Sequence, residues 1–298
     1  MSIYNRFFGK RASDDGPDDL VAGPNQEEAP ALQVLFAGGL TLVPAAVTRA
    51  MRAYHPSMAN ARCEVAPELN QEGKIFGLAG WGKHVIQFVG FDLPMPQDPV
   101  EQCVAPSHYS QQLKEQARAH KGHLLLWYRG NDESVVEQFV ALTAFAGVLK
   151  RFGAIVVLNE SAHTSFPAAA LSAEDGEGDM MEELRNLPLP TLYCGFVKYN
   201  VSNDTHVWMR TYGAHVLGLP DFAAYAEGHH EGQHYFDMFD SILRYMLNTG
   251  NRLAAGHTMQ IGADDYLRCR APTEDEPWLE SKGEMLVVEV IGADQVNR

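Results

Sequence analysis

Thr211-Tyr-Gly-Ala-His-Val-Leu-Gly-Leu-Pro-Asp-Phe222 is the stretch on which the reading of this chain turns. Apolar and aromatic residues run into Gly218 and Pro220. Glycine reaches backbone angles closed to other residues and proline removes an N–H from any ladder, so the pattern predicts a buried strand over 206–217 that then leaves its sheet. Asp221 is placed to cap the turn that follows. Beyond it, Phe236, Phe239, Ile242, Leu243, Met246 and Leu247 recur at helical spacing up to Gly250, which predicts an amphipathic helix whose regular part begins near His234.

Working outward, short apolar runs alternate with helical periodicities. Strands are expected at 33–37, 62–65, 75–78, 84–89, 124–128 and 154–158, and helices at 44–54, 109–120 and 134–152. Pro44 suits a first helical turn, and Gly153 suits a left-handed stop. A short helix at 180–187 breaks at Pro188, after which 191–201 and 206–217 read as paired strands joined by an Asn203-Asp204 turn. Gly82-Lys-His84-Val-Ile86, a proline loop and His108-Tyr109 are echoed by Gly213-Ala-His215-Val-Leu217, a proline loop and His234-Tyr235. The expected fold class is α+β, with two related mixed-sheet halves, 31–152 and 153–298, packed into one body behind a flexible tail at 1–30.

Composition narrows the function classes. With 298 residues and 46% hydrophobic content the chain can bury one large core or two ordinary ones. Its longest apolar runs, such as 141–149, fall short of the roughly 20 residues of a membrane-spanning helix. The first eleven residues are aromatic and basic but lack the apolar core of a secretory signal, so the expected location is cytoplasmic. Residues 12–30 are rich in Asp, Pro, Gly and Glu, which predicts a tether. Cys63, Cys103, Cys194 and Cys269 are scattered, as free buried thiols would be. A net charge of -15 argues against a nucleic-acid partner and suits a basic protein partner.

His230-Glu231-Gly232-Gln233-His234 matches the H-E-x-x-H spacing, in which two imidazoles one helical turn apart chelate zinc and the glutamate activates water. Gly228 and Gly232 oppose the rigid helix that such a site needs. The expectation is therefore no cofactor and no catalytic residue. The alternative is a zinc-dependent hydrolase with His230, His234 and His257 as ligands and Glu231 as general base. Binding candidates are His215, Asp221 and His257, together with Asn159, Glu160 and His163, which follow a buried strand whose end can carry a site. The Lys-Ser/Thr of a phosphate loop is missing after Gly38-Gly39. Trp81, Trp127, Trp208 and Trp278 have no basic neighbours that would make a nucleic-acid stacking platform, and read as core or interface residues.

The segments 215–222 (His-Val-Leu-Gly-Leu-Pro-Asp-Phe), the helix 235–248 ending at Gly250, and Gly256-His257-Thr258 resemble an uncharacterised bacterial domain-of-unknown-function family. More loosely, the chain looks like the suppressor-of-fused type of α+β module. That resemblance implies protein binding rather than catalysis, of the kind carried out by immunity or accessory proteins of bacterial toxins or secretion systems.

Overall fold

The computed structural model describes residues 20–23, 29–67, 69, 73–173, 178–201 and 205–296. The aromatic N-terminal segment, most of the expected tether and the Asn203-Asp204 turn lie outside them. Residues 20–23 are a correction to the tether: Ala22 is buried beside Leu20, Ala66 and Leu78, and the Gly23 N–H donates to Arg129 O at 2.8 Å.

The described residues form an α+β fold with two sheets in two compact units. The first unit runs to Glu160 and resumes over Thr164–Leu187. Its strands are β1 (Ala31–Phe36), β2 (Arg62–Val65), β3 (Lys74–Trp81), β4 (His84–Phe91), β5 (Gly122–Tyr128), β6 (Ala154–Asn159) and β7 (Thr164–Pro167), in the spatial order β2-β3-β4-β5-β1-β6-β7. Among the described residues every strand pair in this sheet is antiparallel. Helices α1 (Pro44–Tyr54), α2 (Gln97–Val104), α3 (Gln111–Arg118), α4 (Val135–Leu149) and α5 (Met180–Asn186) accompany it.

Phe88, Leu126 and Leu32 stand opposite one another across β4, β5 and β1, so their side chains share a face. Phe88 packs on Phe145 of α4, with ring centroids 5.8 Å apart. From Phe139 to Leu149 every residue of α4 is buried, so its helical period carries no polar face; it is a core helix. Leu35, Val156 and Leu158 occupy the other face and cluster with Val100, Cys103 and Val104 of α2 and Ala117 of α3.

Helix α1 has the bounds its periodicity predicts, and Gly153, at φ 93°, ends the turn after α4. Helix α2 is an addition. Pro94, Pro96 and Pro99 fall in the stretch before His108 that reads as a proline loop, yet Pro99 sits in a first helical turn, where its missing N–H costs no hydrogen bond. The expected helix 109–120 shortens to α3, with Ser110 Oγ accepting from the Leu113 N–H. The strand expected at 154–158 as the opening of the second half is β6, which lies in the first sheet between β1 and β7.

The second unit comprises Ser161–His163 and the chain from Pro188 onward. It holds α6 (Leu189–Leu192), β8 (Gly195–Tyr199), β9 (Val207–Tyr212), β10 (Asp221–Ala226), α7 (Gly232–Thr249), β11 (Thr258–Gln260), β12 (Asp265–Arg270) and β13 (Met285–Gly292). The strand order is β11-β12-β13-β10-β9-β8, antiparallel except for the parallel pair β10–β13. Helix α7 covers one face, where Phe239 packs on Phe196, Phe222 and Tyr235.

The strand expected over 206–217 stops at Tyr212. Gly213 (φ 80°) and Gly218 (φ 69°) bracket a 3-10 turn over 214–217, because both take left-handed angles that end ladder geometry. Residues 191–201 likewise divide between the end of α6 and the strand β8. The two echoing stretches therefore occupy different elements, strand β4 in one case and a turn in the other. The four cysteines are free and buried, and burial pushes the thiols of Cys63 and Cys103 up to about 12. Among the described residues no helix is long and apolar enough to cross a membrane.

Candidate binding groove

Strand pairing sets up the site before any side chain is considered. Tyr199, Trp208 and Tyr225 are direct partners across β8, β9 and β10, so three aromatics stand in one row on the sheet face opposite α7. The next row toward the Asp221 end is Val197, Arg210, Ala223 and Val287. Over these rows lies the segment 277–280, whose Trp278 and Leu279 join Trp208, Ala223, Met285 and Val287 in one cluster.

Arg210 is fully buried and holds that segment in place. Its Nη1 donates to the carbonyls of Trp278 and Glu280, each at 3.2 Å, and its Nε donates to Thr211 O at 3.2 Å. The guanidinium carbon lies 3.7 Å from the Tyr212 ring centroid, a cation–π contact in a dry setting. Tyr199 Oη also donates to Trp278 O, at 3.2 Å. Among the described residues, Arg210 Nη2 and the buried indole N–H of Trp278 have no hydrogen-bond partner.

Asp221 does not cap a following turn; it opens β10 as a fully buried carboxylate. Oδ1 accepts from Thr211 Oγ1 at 2.9 Å and from the Ala214 N–H at 3.1 Å, and Oδ2 accepts from Ser281 Oγ at 2.8 Å. Burial raises its pKa against these hydrogen bonds and the Arg210 charge, which favour ionisation. His163 stacks on Tyr212 with centroids 4.6 Å apart and takes a left-handed φ of 49°. Burial, Arg210 and Lys282 hold its imidazole below the ordinary range, against the pull of Asp221. His215 lies in the turn 214–217, and Gly283 approaches it so closely that a Cβ there would stand 2.6 Å from His215 Cβ. Thus Asp221 and His163 gather around Arg210 and Tyr212, and His215 sits in the turn whose first amide Asp221 holds.

The other predicted residues are placed differently. Asn159 ends β6 and Glu160 opens the 3-10 turn after it, both in the first unit, and the Glu160 N–H donates to Gln33 Oε1 at 3.3 Å. His257 is exposed before β11, and its carbonyl accepts from the Cys269 N–H at 2.8 Å. His230 and Glu231 form a 3-10 turn ahead of α7, and His234 lies in the first turn of that helix. Glu231 Oε2 accepts from the Glu227 N–H at 2.7 Å, bracing the turn. Among the described residues, no three His, Cys, Asp or Glu side chains stand together as a metal-binding group.

An open groove of about 600 Å3 borders the aromatic row. It is lined by Trp208, Tyr225, Trp278, Tyr235, His206 and Val201 together with residues 287–290 and the charged trio Arg270, Glu276 and Glu289. Its position follows from the topology. Parallel β10 and β13 pair only from Asp221↔Met285 to Ala223↔Val287, after which β10 continues beside β9 and β13 beside β12. The split falls beyond the carboxyl end of this short parallel pairing, the kind of place where sheets of mixed direction open crevices. Trp208 is tilted against Tyr225 at 5.1 Å and against Trp278 at 6.3 Å, and His206 stacks on Tyr225 at 4.9 Å. Tyr225 and Val290 are each 48% exposed, in contrast to the buried residues around them.

Residues 210–288 match the family described as a domain of unknown function, DUF4261. The DUF4261 match begins at Arg210, the clamp, and ends at Val288, on the far wall of the groove. Comparison with curated proteins and with solved structures gives no match. The sequence reading missed Arg210 and the groove. The available signal was Val207-Trp-Met-Arg-Thr-Tyr212, a buried-strand pattern carrying one arginine, since a cation inside such a run needs partners.

Proposed function

We propose that the chain is a protein-binding factor that works without catalysis and that its partner is basic, in the manner of an immunity or accessory protein of a bacterial toxin or secretion system. The observation that carries the reading is the half-exposed aromatic groove of the second unit, with Tyr225 and Val290 open to solvent beside the carboxylates Glu276 and Glu289. Aromatic residues supply contact area at low entropic cost and are enriched where proteins bind one another. The net charge of -15 supports the sign of the partner, because long-range attraction speeds the encounter with a cationic surface. The loose likeness to suppressor-of-fused modules points the same way. A cytoplasmic setting is part of the proposal.

Capture from a native extract on the immobilised full chain, followed by mass spectrometry and titration of the captured protein, tests this. The expected partner is basic, and its affinity falls steeply between low and physiological salt. Salt-independent binding, or an acidic partner, overturns the electrostatic half of the reading. Stoichiometric zinc in the purified protein, lost in His234→Ala, replaces it with the hydrolase.

A further inference from the structure

We infer that the groove in the second unit recognises a lysine or arginine side chain of the partner, laid against Tyr225 at the open end of the aromatic run, with its charge brought to Glu289 and Glu276. The inference rests on the protein-binding reading above and specifies its chemistry. Three arguments select this occupant.

The first is charge. Arg270 is the cationic side chain lining the groove, and it is already committed: Nη1 and Nη2 each donate to Glu276 at 2.7 Å, and Nε donates to Glu289 at 2.9 Å. The Arg270 hydrogen bond holds the Glu276 carboxyl below its usual range, so it stays ionised. Two carboxylates against one guanidinium leave the wall one negative charge in excess. An anionic ligand must break a three-bond ion-pair network to reach Arg270, whereas a cation adds to it.

The second is the aromatic surface. Aromatic rings attract cations, and Tyr225, 48% exposed, is the open end of a run that continues through the buried Trp208 at 5.1 Å to Trp278 at 6.3 Å. Lysine and arginine also carry hydrocarbon stems that need apolar cover while the head stays near water. Val201 and Val290, 41% and 48% exposed, provide that cover at the mouth of the groove.

The third is room for a peptide main chain. The β10–β13 register stops at Ala223↔Val287, so beyond that point these two strands do not pair with each other along the groove. A volume of about 600 Å3 admits a side chain with its flanking backbone and exceeds what a small free cation fills.

Titration of the full chain, read by tryptophan fluorescence and calorimetry, tests the inference with a set of capped pentapeptides of sequence Gly-Val-X-Val-Gly. The central residue X is lysine, arginine, norleucine or glutamate, and a neutral glucose hexasaccharide is the added control. The lysine and arginine peptides are expected to bind, the norleucine peptide about ten-fold more weakly, and the glutamate peptide not at all. Tyr225→Ala and Glu289→Gln, both at exposed positions, are each expected to weaken lysine-peptide binding by about ten-fold while leaving the melting temperature nearly unchanged. Equal affinity for the norleucine peptide, preferential binding of the hexasaccharide, absence of lysine-peptide binding at millimolar concentration, or indifference to Tyr225→Ala each overturns it. If a basic protein is still captured in a salt-dependent way and Tyr225→Ala leaves that capture intact, the groove assignment fails while the broader reading stands. If the native chain captures no basic protein, the broader reading fails whatever the peptides do.

Discussion

Arg210 shows how one residue can carry a surface without being part of it. Its buried guanidinium fixes the carbonyls of Trp278 and Glu280, and so fixes the indole that walls the groove. Arg210→Met keeps most of the volume but leaves those acceptors, and Asp221, without their buried cation. The expected loss is at least about 2 kcal/mol in urea unfolding, together with a blue-to-red shift of tryptophan emission as the 277–280 segment loosens. Unchanged stability and emission would remove the clamp from this account. Asp221 supplies a pH signature. Because burial raises its folded pKa above the unfolded value of about 3.9, the folded state holds its proton more tightly, and this group's stabilising contribution is complete below that value and lost as pH rises through the raised one. Asp221→Asn retains neighbours that can donate or accept but cannot titrate. Urea midpoints taken from acid to neutral pH should therefore move in favour of Asp221→Asn as pH rises; a constant difference would show that Asp221 ionises in the folded protein as it does in the unfolded chain.

At the level of elements, legibility followed periodicity. Helix α1 and the stop at Gly153 could be read because a single face or a single glycine decides them. Strand β9 was over-extended because His215-Val-Leu217 is apolar enough to continue a strand, and the angles of Gly213 and Gly218 that end it leave no trace in hydropathy. Helix α2 was hidden by prolines whose cost depends on position rather than identity. Asp221, His163 and His215 stand out from their neighbourhoods along the chain, yet the meeting of two of them at Arg210 and Tyr212 depends on contacts between distant segments, which one sequence does not display. The same dependence explains Gly77. It faces Phe88 across β3 and β4, and a Cβ there would meet the Phe88 ring, which is buried against α4. Gly77→Ala should cost about 1–3 kcal/mol in denaturant unfolding, and a double-mutant cycle with Phe88→Leu should recover part of it. Simple additivity of the two changes would show that the ring moves aside freely.

For the molecule as a whole, the chain supplies Ser161–His163 to the second unit and then returns to the first for β7 and α5. A Cβ at Gly195 would meet the Ala162 carbonyl and one at Gly213 the Ser161 carbonyl, while His163 stacks on Tyr212, so the three residues are packed into the second unit. The boundary drawn from sequence at 152/153 follows a glycine stop; long-range strand pairing, invisible to local pattern, gathers β6 and β7 into the first sheet. A fragment spanning 188–298 should accordingly melt several degrees below the same unit in the intact chain, by circular dichroism or calorimetry. Equal melting temperatures would mean that the three residues contribute nothing there.

That threading also has a consequence in time. During synthesis, residues 161–163 leave the ribosome well ahead of Gly195 and Tyr212, against which they come to rest, so the second unit completes itself on a short template already tethered at both ends by the first. Early release of a truncated chain would leave that template uncovered, and the unit's sheet closes only once β13, the partner of β10, has been made.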